Sequence, residues 1–381
     1  MTVPTLNTPA AEDVVAEAVR QAWSDVLGEE PESAETSFFD VGGDSAAAAE
    51  MIKHLQERLG RSVRIQDVYR SPTQNGLITA LLGDDAAVPA AHHTTGRTLV
   101  RFRNADTGRL WCLLPPLSGA VTRYGRMTRL LPLADAVWAC ETPAALSRQG
   151  MRAVADGLAD ALISEDVTNF DEIVLAGYSL GGVFAHEVAA ALAARIGHHK
   201  VSALLIDPPS PEDPSLTQSI EDTLDVFVRF GWRITAQEPG AFIDAAGTID
   251  FAAIAAAAAE VGTLRKNAGA DKVEEAWQVY AANAKILTGY SPSGHPDDCR
   301  ALLRIAREGE TLQPAADETW TACEPNPVWA GIPGPDRCWA IPLKHSMLLE
   351  PPNDATVARW LIRAADLLAH DRKAKARSVS Q

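Results

Sequence analysis

Ile173-Val174-Leu175-Ala176-Gly177-Tyr178-Ser179-Leu180-Gly181-Gly182-Val183-Phe184 is the stretch of the 381-residue chain whose reading decides the fold. An apolar, partly β-branched run enters Gly-Tyr-Ser-Leu-Gly, and an alanine-rich apolar segment leaves it and continues to Ile196. Glycines at this spacing let a strand turn sharply into a helix and lift the hydroxyl of the central serine above the sheet. The five-residue pattern alone recurs by chance. Its setting between a strand-like run and a helix-like run gives Ser179 the reading of a nucleophile.

Working outward, the same alternation recurs. Strands are expected at 99–103, 110–114, 136–140, 172–176, 201–206, 300–305 and 337–343, with helices between them, notably 151–163 and 182–196. Apolar strands interleaved with helices predict a mostly parallel sheet covered on both faces. Residues 210–290 interrupt the rhythm. They are helical in pattern and rich in alanine, and they read as a helical lid inserted between two sheet strands.

The first part of the chain has a different texture. Val14, Val15, Ala18, Val19, Ala22, Trp23, Val26 and Leu27 recur at helical spacing before Gly28. A polar loop then ends in Phe38-Phe39-Asp40-Val41-Gly42-Gly43-Asp44-Ser45, and a second helix is expected from about Ser45 to Leu59. A last short helix carries Leu77, Ile78, Leu81 and Leu82. The expected organisation is an N-terminal tail over 1–10, a small helical domain over 11–83, a linker over 84–97, an α/β domain over 98–370 and a C-terminal tail over 371–381. His92 and His93 fall in the linker without partner ligands at useful spacing and read as solvated residues.

Composition narrows the function classes. Hydrophobic residues make up 46% and charged residues 22%, the balance of a globular protein and not of a disordered one. The excess of 50 Asp and Glu over 34 Lys and Arg gives a net charge of −16, which argues against a nucleic-acid partner. The chain shows no signal-like start and no apolar run long enough for a membrane span, so a cytoplasmic location is expected. Five scattered cysteines without a C-x-x-C pair support neither a metal site nor a disulfide framework.

A serine hydroxyl becomes nucleophilic only when a base takes its proton. In the α/β-hydrolase order that base follows the last strand, where His345 stands after Cys338-Trp339-Ala340-Ile341-Pro342-Leu343. His295 precedes a strand, and His186, His198 and His199 come too early. The acid that orients the histidine should also leave a strand. Asp207 does so after Leu205-Ile206 and is favoured over the alternative, Glu308 or Glu310 after the following strand. Negative charge on the attacked carbonyl oxygen needs backbone N–H donors. Leu180, after the nucleophile, is one. Leu117 is the candidate for the second, because Pro115 and Pro116 have no N–H to give.

These segments, in this order, resemble the terminal carrier and thioesterase domains of nonribosomal peptide synthetases. Phe38-Phe39-Asp40-Val41-Gly42-Gly43-Asp44-Ser45 resembles the peptidyl-carrier motif, which implies a small four-helix carrier domain and attachment of 4′-phosphopantetheine to Ser45 by a phosphopantetheinyl transferase. A serine at a helix N-terminus suits a phosphodiester. Pro115-Pro116-Leu117-Ser118-Gly119, Gly177-Tyr178-Ser179-Leu180-Gly181-Gly182, Leu205-Ile206-Asp207 and His345-Ser346-Met347-Leu348 are similar to blocks of the type I thioesterases. That resemblance implies an α/β-hydrolase with a lid, a triad of Ser179, Asp207 and His345, and release of a peptidyl or acyl thioester by hydrolysis or macrocyclisation. The implied partners are upstream condensation and adenylation domains, in cis or in trans. The chain departs from the family at Ala46, where carriers usually have a larger apolar residue, and at Lys344, where a glycine often precedes the histidine. No condensation or adenylation domain precedes the carrier, which is expected of either a free-standing didomain or a piece of a larger synthetase.

Overall fold

The computed structural model describes residues 9–28, 31, 33–36, 38, 45–60, 63, 68, 71, 73–82, 99–105, 108–209, 219–244, 247–261, 263–264, 269–288, 290–292, 300–307, 310, 312, 319–323, 329 and 337–379. The expected linker, with His92 and His93, lies outside them.

The N-terminal unit contains α1 (Pro9–Leu27), α2 (Ser45–Leu59) and α3 (Gln74–Leu82). Most of the segment between α2 and α3, where a further helix of the expected four would fall, lies outside the described residues. Val15, Ala18, Val19, Ala22 and Trp23 of α1 pack with Ala48, Met51, Ile52 and Leu55 of α2 and Leu77 and Leu81 of α3. The Trp23 ring meets Phe38 edge to face at 5.1 Å. Val14, expected on the apolar stripe, is 58% exposed. At 100° per residue it cannot share a face with the whole set of 15, 18, 19 and 22.

The larger unit is built on an eight-stranded sheet in the order β1-β3-β2-β4-β5-β6-β8-β7. Its strands are β1 (Leu99–Arg103), β2 (Arg109–Leu114), β3 (Ala136–Cys140), β4 (Glu172–Tyr178), β5 (Val201–Ile206), β6 (Arg300–Ile305), β7 (Thr321–Ala322) and β8 (Cys338–Ile341). The strands from β3 through β8 in that order run parallel, and the edge strands β1 and β7 are antiparallel. Along β2, Leu110, Cys112 and Leu114 enter one core and Trp111 and Leu113 the other, so both faces are covered. The first core is closed by α4 (Met151–Ser164) and α5 (Leu180–Ile196), and the second by the last helix, Asn353–Val379.

Between β5 and β6 the chain forms α6 (Ile220–Val226), a π-helical turn over Phe227–Gly231, α7 (Phe251–Glu260) and α8 (Ala270–Ile286). Leu224, Phe227, Phe242, Ile254, Val273, Trp277 and Tyr280 give this insertion a core of its own. The last helix of the chain is α9 (Asn353–Val379). No helix among the described residues is long and apolar enough to cross a membrane.

The strand expected over 337–343 is narrower than its apolar run, because Pro342 ends it. Within the expected tail over 371–381, α9 continues to Val379. Polar contacts hold this extension where apolar periodicity gives no signal. Asp371 pairs with Arg337 at 2.9 Å, and Arg372 bonds both Glu172 and the Ser202 hydroxyl. Deleting residues 371–381 is therefore expected to lower stability by about 2 kcal/mol, because two half-buried ion pairs lose a partner. Urea unfolding of the full and shortened chains measures it.

Candidate active site

The elbow exists because three backbones come closer than any side chain allows. A Cβ on Gly177 would lie 1.9 Å from Gly181 O, and one on Gly181 would lie 2.4 Å from Leu114 O. Glycine at both positions lets the N-terminus of α5 sit against the ends of β4 and β2. Ser179, pinned between them, has φ 58° and ψ −129°, a conformation that costs a non-glycine residue about 1–3 kcal/mol. Its N–H donates to Ile206 O at 2.9 Å, carrying the β4–β5 ladder one residue past the strand.

Asp207 continues β5 in the same way. Its φ is 45°, and its N–H donates to Leu303 O at 2.5 Å. Its carboxylate accepts the Ile305 N–H on Oδ1 at 3.1 Å and meets His345 Nδ1 with Oδ2 at 2.6 Å. The Asp207 side chain is 13% exposed and that of His345 44%. With Nδ1 engaged by this carboxylate, Nε2 is the ring nitrogen left open.

His345 lies on a loop, opening the single turn His345–Met347, yet it is held on two further sides. The Tyr178 ring stacks on it at 4.6 Å with an interplanar angle of 28°, and Tyr178 OH donates to His345 O at 2.8 Å. Burial pushes the Tyr178 phenol well above its ordinary value, so it remains a neutral donor. Tyr124 OH in turn accepts the Tyr178 N–H at 2.8 Å and donates to Leu114 O at 2.7 Å. Sequence reasoning missed both tyrosines. Tyr178 occupies the variable position of G-x-S-x-G, and Tyr124 stands in a loop with no periodicity around it.

The structure thus joins Asp207 to His345 and sets Ser179 beside the tyrosine that stacks on that histidine. Ser179 Oγ has no hydrogen-bond partner among the described residues, and the Ser179–His345 bond is not formed. Of the alternatives, Glu310 is taken: it grips Arg304 at 2.6 and 2.7 Å and accepts the Arg307 N–H. Glu308 and His295 lie outside the described residues. His186 is buried against Trp329, and His198 and His199 form a turn at the far end of α5. The N–H groups of Leu180, first in α5, and Leu117, in the turn after β2, have no acceptor among the described residues.

In the N-terminal unit Ser45 is the first residue of the 15-residue helix α2, whose first turn holds no acidic residue. A helix N-terminus without a nearby carboxylate suits the phosphate of a pantetheine arm. The Ser45 side chain and the preceding Gly42-Gly43-Asp44 lie outside the described residues.

Two family models match the chain. A family model for the phosphopantetheine attachment site matches residues 17–81, and one for the thioesterase domain matches residues 110–324. The chain is 25% identical over 209 residues to enterobactin synthase component F of Escherichia coli, covering 54% of this chain and 16% of that protein. It is 26% identical over 337 residues to the probable non-canonical nonribosomal peptide synthetase CymA of Salinispora arenicola, covering 86% of this chain and 4% of that protein. The chain therefore spans a small part of the curated relatives it matches. Among solved structures, a four-domain nonribosomal peptide synthetase bound to AMP and glycine aligns with a TM-score of 0.56 at 16% identity, over 95% of this chain and 27% of that one. At that identity the likeness is one of fold.

Two outcomes are expected from this geometry. Gly181→Ala should cost about 3 kcal/mol or more, since backbone cannot yield to its Cβ, whereas Gly240→Ala, with nothing within 4 Å of its Cβ, should stay within about 0.5 kcal/mol. Urea midpoints compare them. The Arg304 guanidinium holds the Glu310 carboxyl at about 2. The unfolded chain, with an ordinary value of about 4.3, takes up that proton first. The stability this pair contributes is present above the unfolded value and is lost as pH falls from there toward 2. Glu310→Gln should therefore unfold more easily than the native chain at pH 7 and lose that disadvantage at low pH.

Proposed function

The chain belongs to the thioesterase domain family, with a phosphopantetheine attachment domain ahead of it, and on that premise we propose that it releases a carrier-bound peptidyl or acyl chain through Ser179. The observation that carries this reading is the 2.6 Å contact between Asp207 and His345 beside a serine held at positive φ on the elbow. Attached to Ser45, 4′-phosphopantetheine supplies the terminal thiol on which the chain is carried as a thioester. A phosphopantetheinyl transferase would install it, and upstream condensation and adenylation domains would supply the acyl group.

His345 Nε2 takes the Ser179 proton while Asp207 holds the ring in the tautomer that makes Nε2 the base. Ser179 Oγ adds to the thioester carbonyl, and the oxyanion is met by the N–H groups of Leu180 and Leu117. The carbon–sulfur bond then breaks, and the departing thiolate takes the proton from His345. The resulting ester on Ser179 is resolved by a nucleophile whose proton His345 accepts; the bond from the acyl carbon to Ser179 Oγ breaks, and His345 returns the proton to Oγ. Water gives an acid, and an amine or hydroxyl of the chain itself gives a ring. The insertion of α6 to α8 acts as the lid that limits water during this second half.

The test is intact-protein mass over time. A permissive transferase is supplied with an acyl-coenzyme A and transfers its acyl-phosphopantetheine, with release of adenosine 3′,5′-bisphosphate, to the native chain, Ser179→Ala and Ser45→Ala. The native chain should gain the group and shed it, Ser179→Ala should gain and retain it, and Ser45→Ala should gain nothing. Shedding by Ser179→Ala at the native rate would overturn the mechanism.

A further inference from the structure

The turn after β2 is held by two elements remote from it in sequence. Gly119 N–H closes the turn onto Pro116 O at 2.8 Å, and Gly119 O accepts the Thr142 N–H, just past β3, at 3.2 Å. The second element is α8 of the insertion. Asn283, fully buried, donates from Nδ2 to Leu117 O at 3.0 Å. Its Oδ1 accepts the Ser147 hydroxyl at 2.6 Å, and Nδ2 also reaches Thr142 Oγ1 at 3.4 Å. One helical turn earlier Val279 covers Gly119 so closely that a Cβ on that glycine would lie 2.3 Å from Val279 Cγ1. Gly119 itself has φ +73°, so both its backbone and its bareness are required here.

A peptide unit is planar and trans, so its C=O and N–H point in opposite directions. The bond from Gly119 to Pro116 O therefore aims the Leu117 N–H, which shares that plane. The bond from Asn283 to Leu117 O fixes the next plane. With the planes on both sides of its Cα fixed, Leu117 has no free backbone dihedral, and its N–H is aimed in advance. Asparagine suits the position because its carboxamide donates to Leu117 and accepts from Ser147 at once, which neither Asp nor an apolar residue of similar size can do.

We propose that Asn283 is a positioning residue for the oxyanion donor Leu117, so that the oxyanion hole is complete only while α8 of the lid is seated. The inference rests on reading Leu117 as that donor. An acyl chain that holds the lid in place keeps the carboxamide on Leu117, and a lid that lifts takes it away. The transition state is then stabilised when the substrate is enclosed, and stray attack on a half-bound thioester is slow.

Asn283→Asp keeps the shape and the acceptor for Ser147 but turns an oxygen toward Leu117 O. Tested as the full chain on a soluble acyl thioester, it should lower kcat about 10–100-fold, a fraction of the loss of a whole oxyanion donor, with KM within about threefold. Hydrogen–deuterium exchange should rise in peptides covering 115–121 and stay native along α7. Native kcat in a folded Asn283→Asp, or lowered kcat with native exchange at 115–121, would overturn the proposal. Should that variant fail to fold, Ser147→Ala frees the far end of the carboxamide and is expected to move both readouts the same way to a smaller extent; no change in either would count against the proposal. Ser179→Ala run beside them separates the two levels. If it still turns over, the serine reading falls, whereas an inert Ser179→Ala beside an unaffected Asn283→Asp removes the positioning role alone.

Discussion

The closeness of α5 to the ends of β2 and β4 is the constraint on which the rest depends. Two glycines without which backbone would collide at 1.9 and 2.4 Å set that distance. Once the helix is seated there, Ser179 has no conformation available except the positive-φ one, and Leu180 N–H faces out of the helix start with no intrahelical partner. The same approach sets the β2 exit, at Leu114 and Pro115, against the start of α5. The proposed nucleophile and the proposed oxyanion donor Leu180 are consequences of one packing decision made in the strand-to-helix turn.

The histidine is governed by a different logic. It belongs to no strand and is 44% exposed, yet its ring edge, ring face and carbonyl are all engaged, by Asp207, the Tyr178 ring and the Tyr178 hydroxyl. The role of base proposed for it would benefit from such a fixed orientation with one ring nitrogen open. The carboxylate behind it is far less exposed, at 13%, so the pair interacts where water screens it little. The tyrosine that does the rest comes from β4 itself, so Ser179 and His345 share one support.

The strands were legible because parallel strands buried on both faces read as unbroken apolar runs, as in 201–206 and 300–305. The elbow was legible because steric need leaves only glycine at 177 and 181. The two-residue β7 carries no periodicity to detect, and the helix beyond residue 370 is held by Arg372 and Asp371 through polar contacts that leave no apolar pattern. Asp207 could be ranked but not separated from Glu310 in sequence, since both follow strands. The contact of Asp207 with His345 and the pairing of Glu310 with Arg304 divide them. Tyr178 and Asn283 were invisible for a related reason: each acts on backbone groups of residues far along the chain, and nothing local marks such a partner.

The geometry of the site also follows from register. Tyr178 stands opposite Ile206 on β5, Ile206 opposite Leu303 on β6, and Ile305 opposite Ile341 on β8. The last ladder bonds then run from Ser179 to Ile206 and from Asp207 to Leu303, one residue beyond the strands. Both residues that carry positive φ at this rim, 58° for Ser179 and 45° for Asp207, take it immediately after those bonds. Strain of about 1–3 kcal/mol at each is sustainable because the ladder and the buried strands beneath hold the chain up to that point. His345 needs only four residues beyond Ile341 to reach the Asp207 carboxylate. A one-residue slip in any of these ladders would turn the carboxylate or the serine to the opposite face of the sheet. The order of four parallel strands is therefore what encodes the order of the proposed nucleophile, acid and base across the rim.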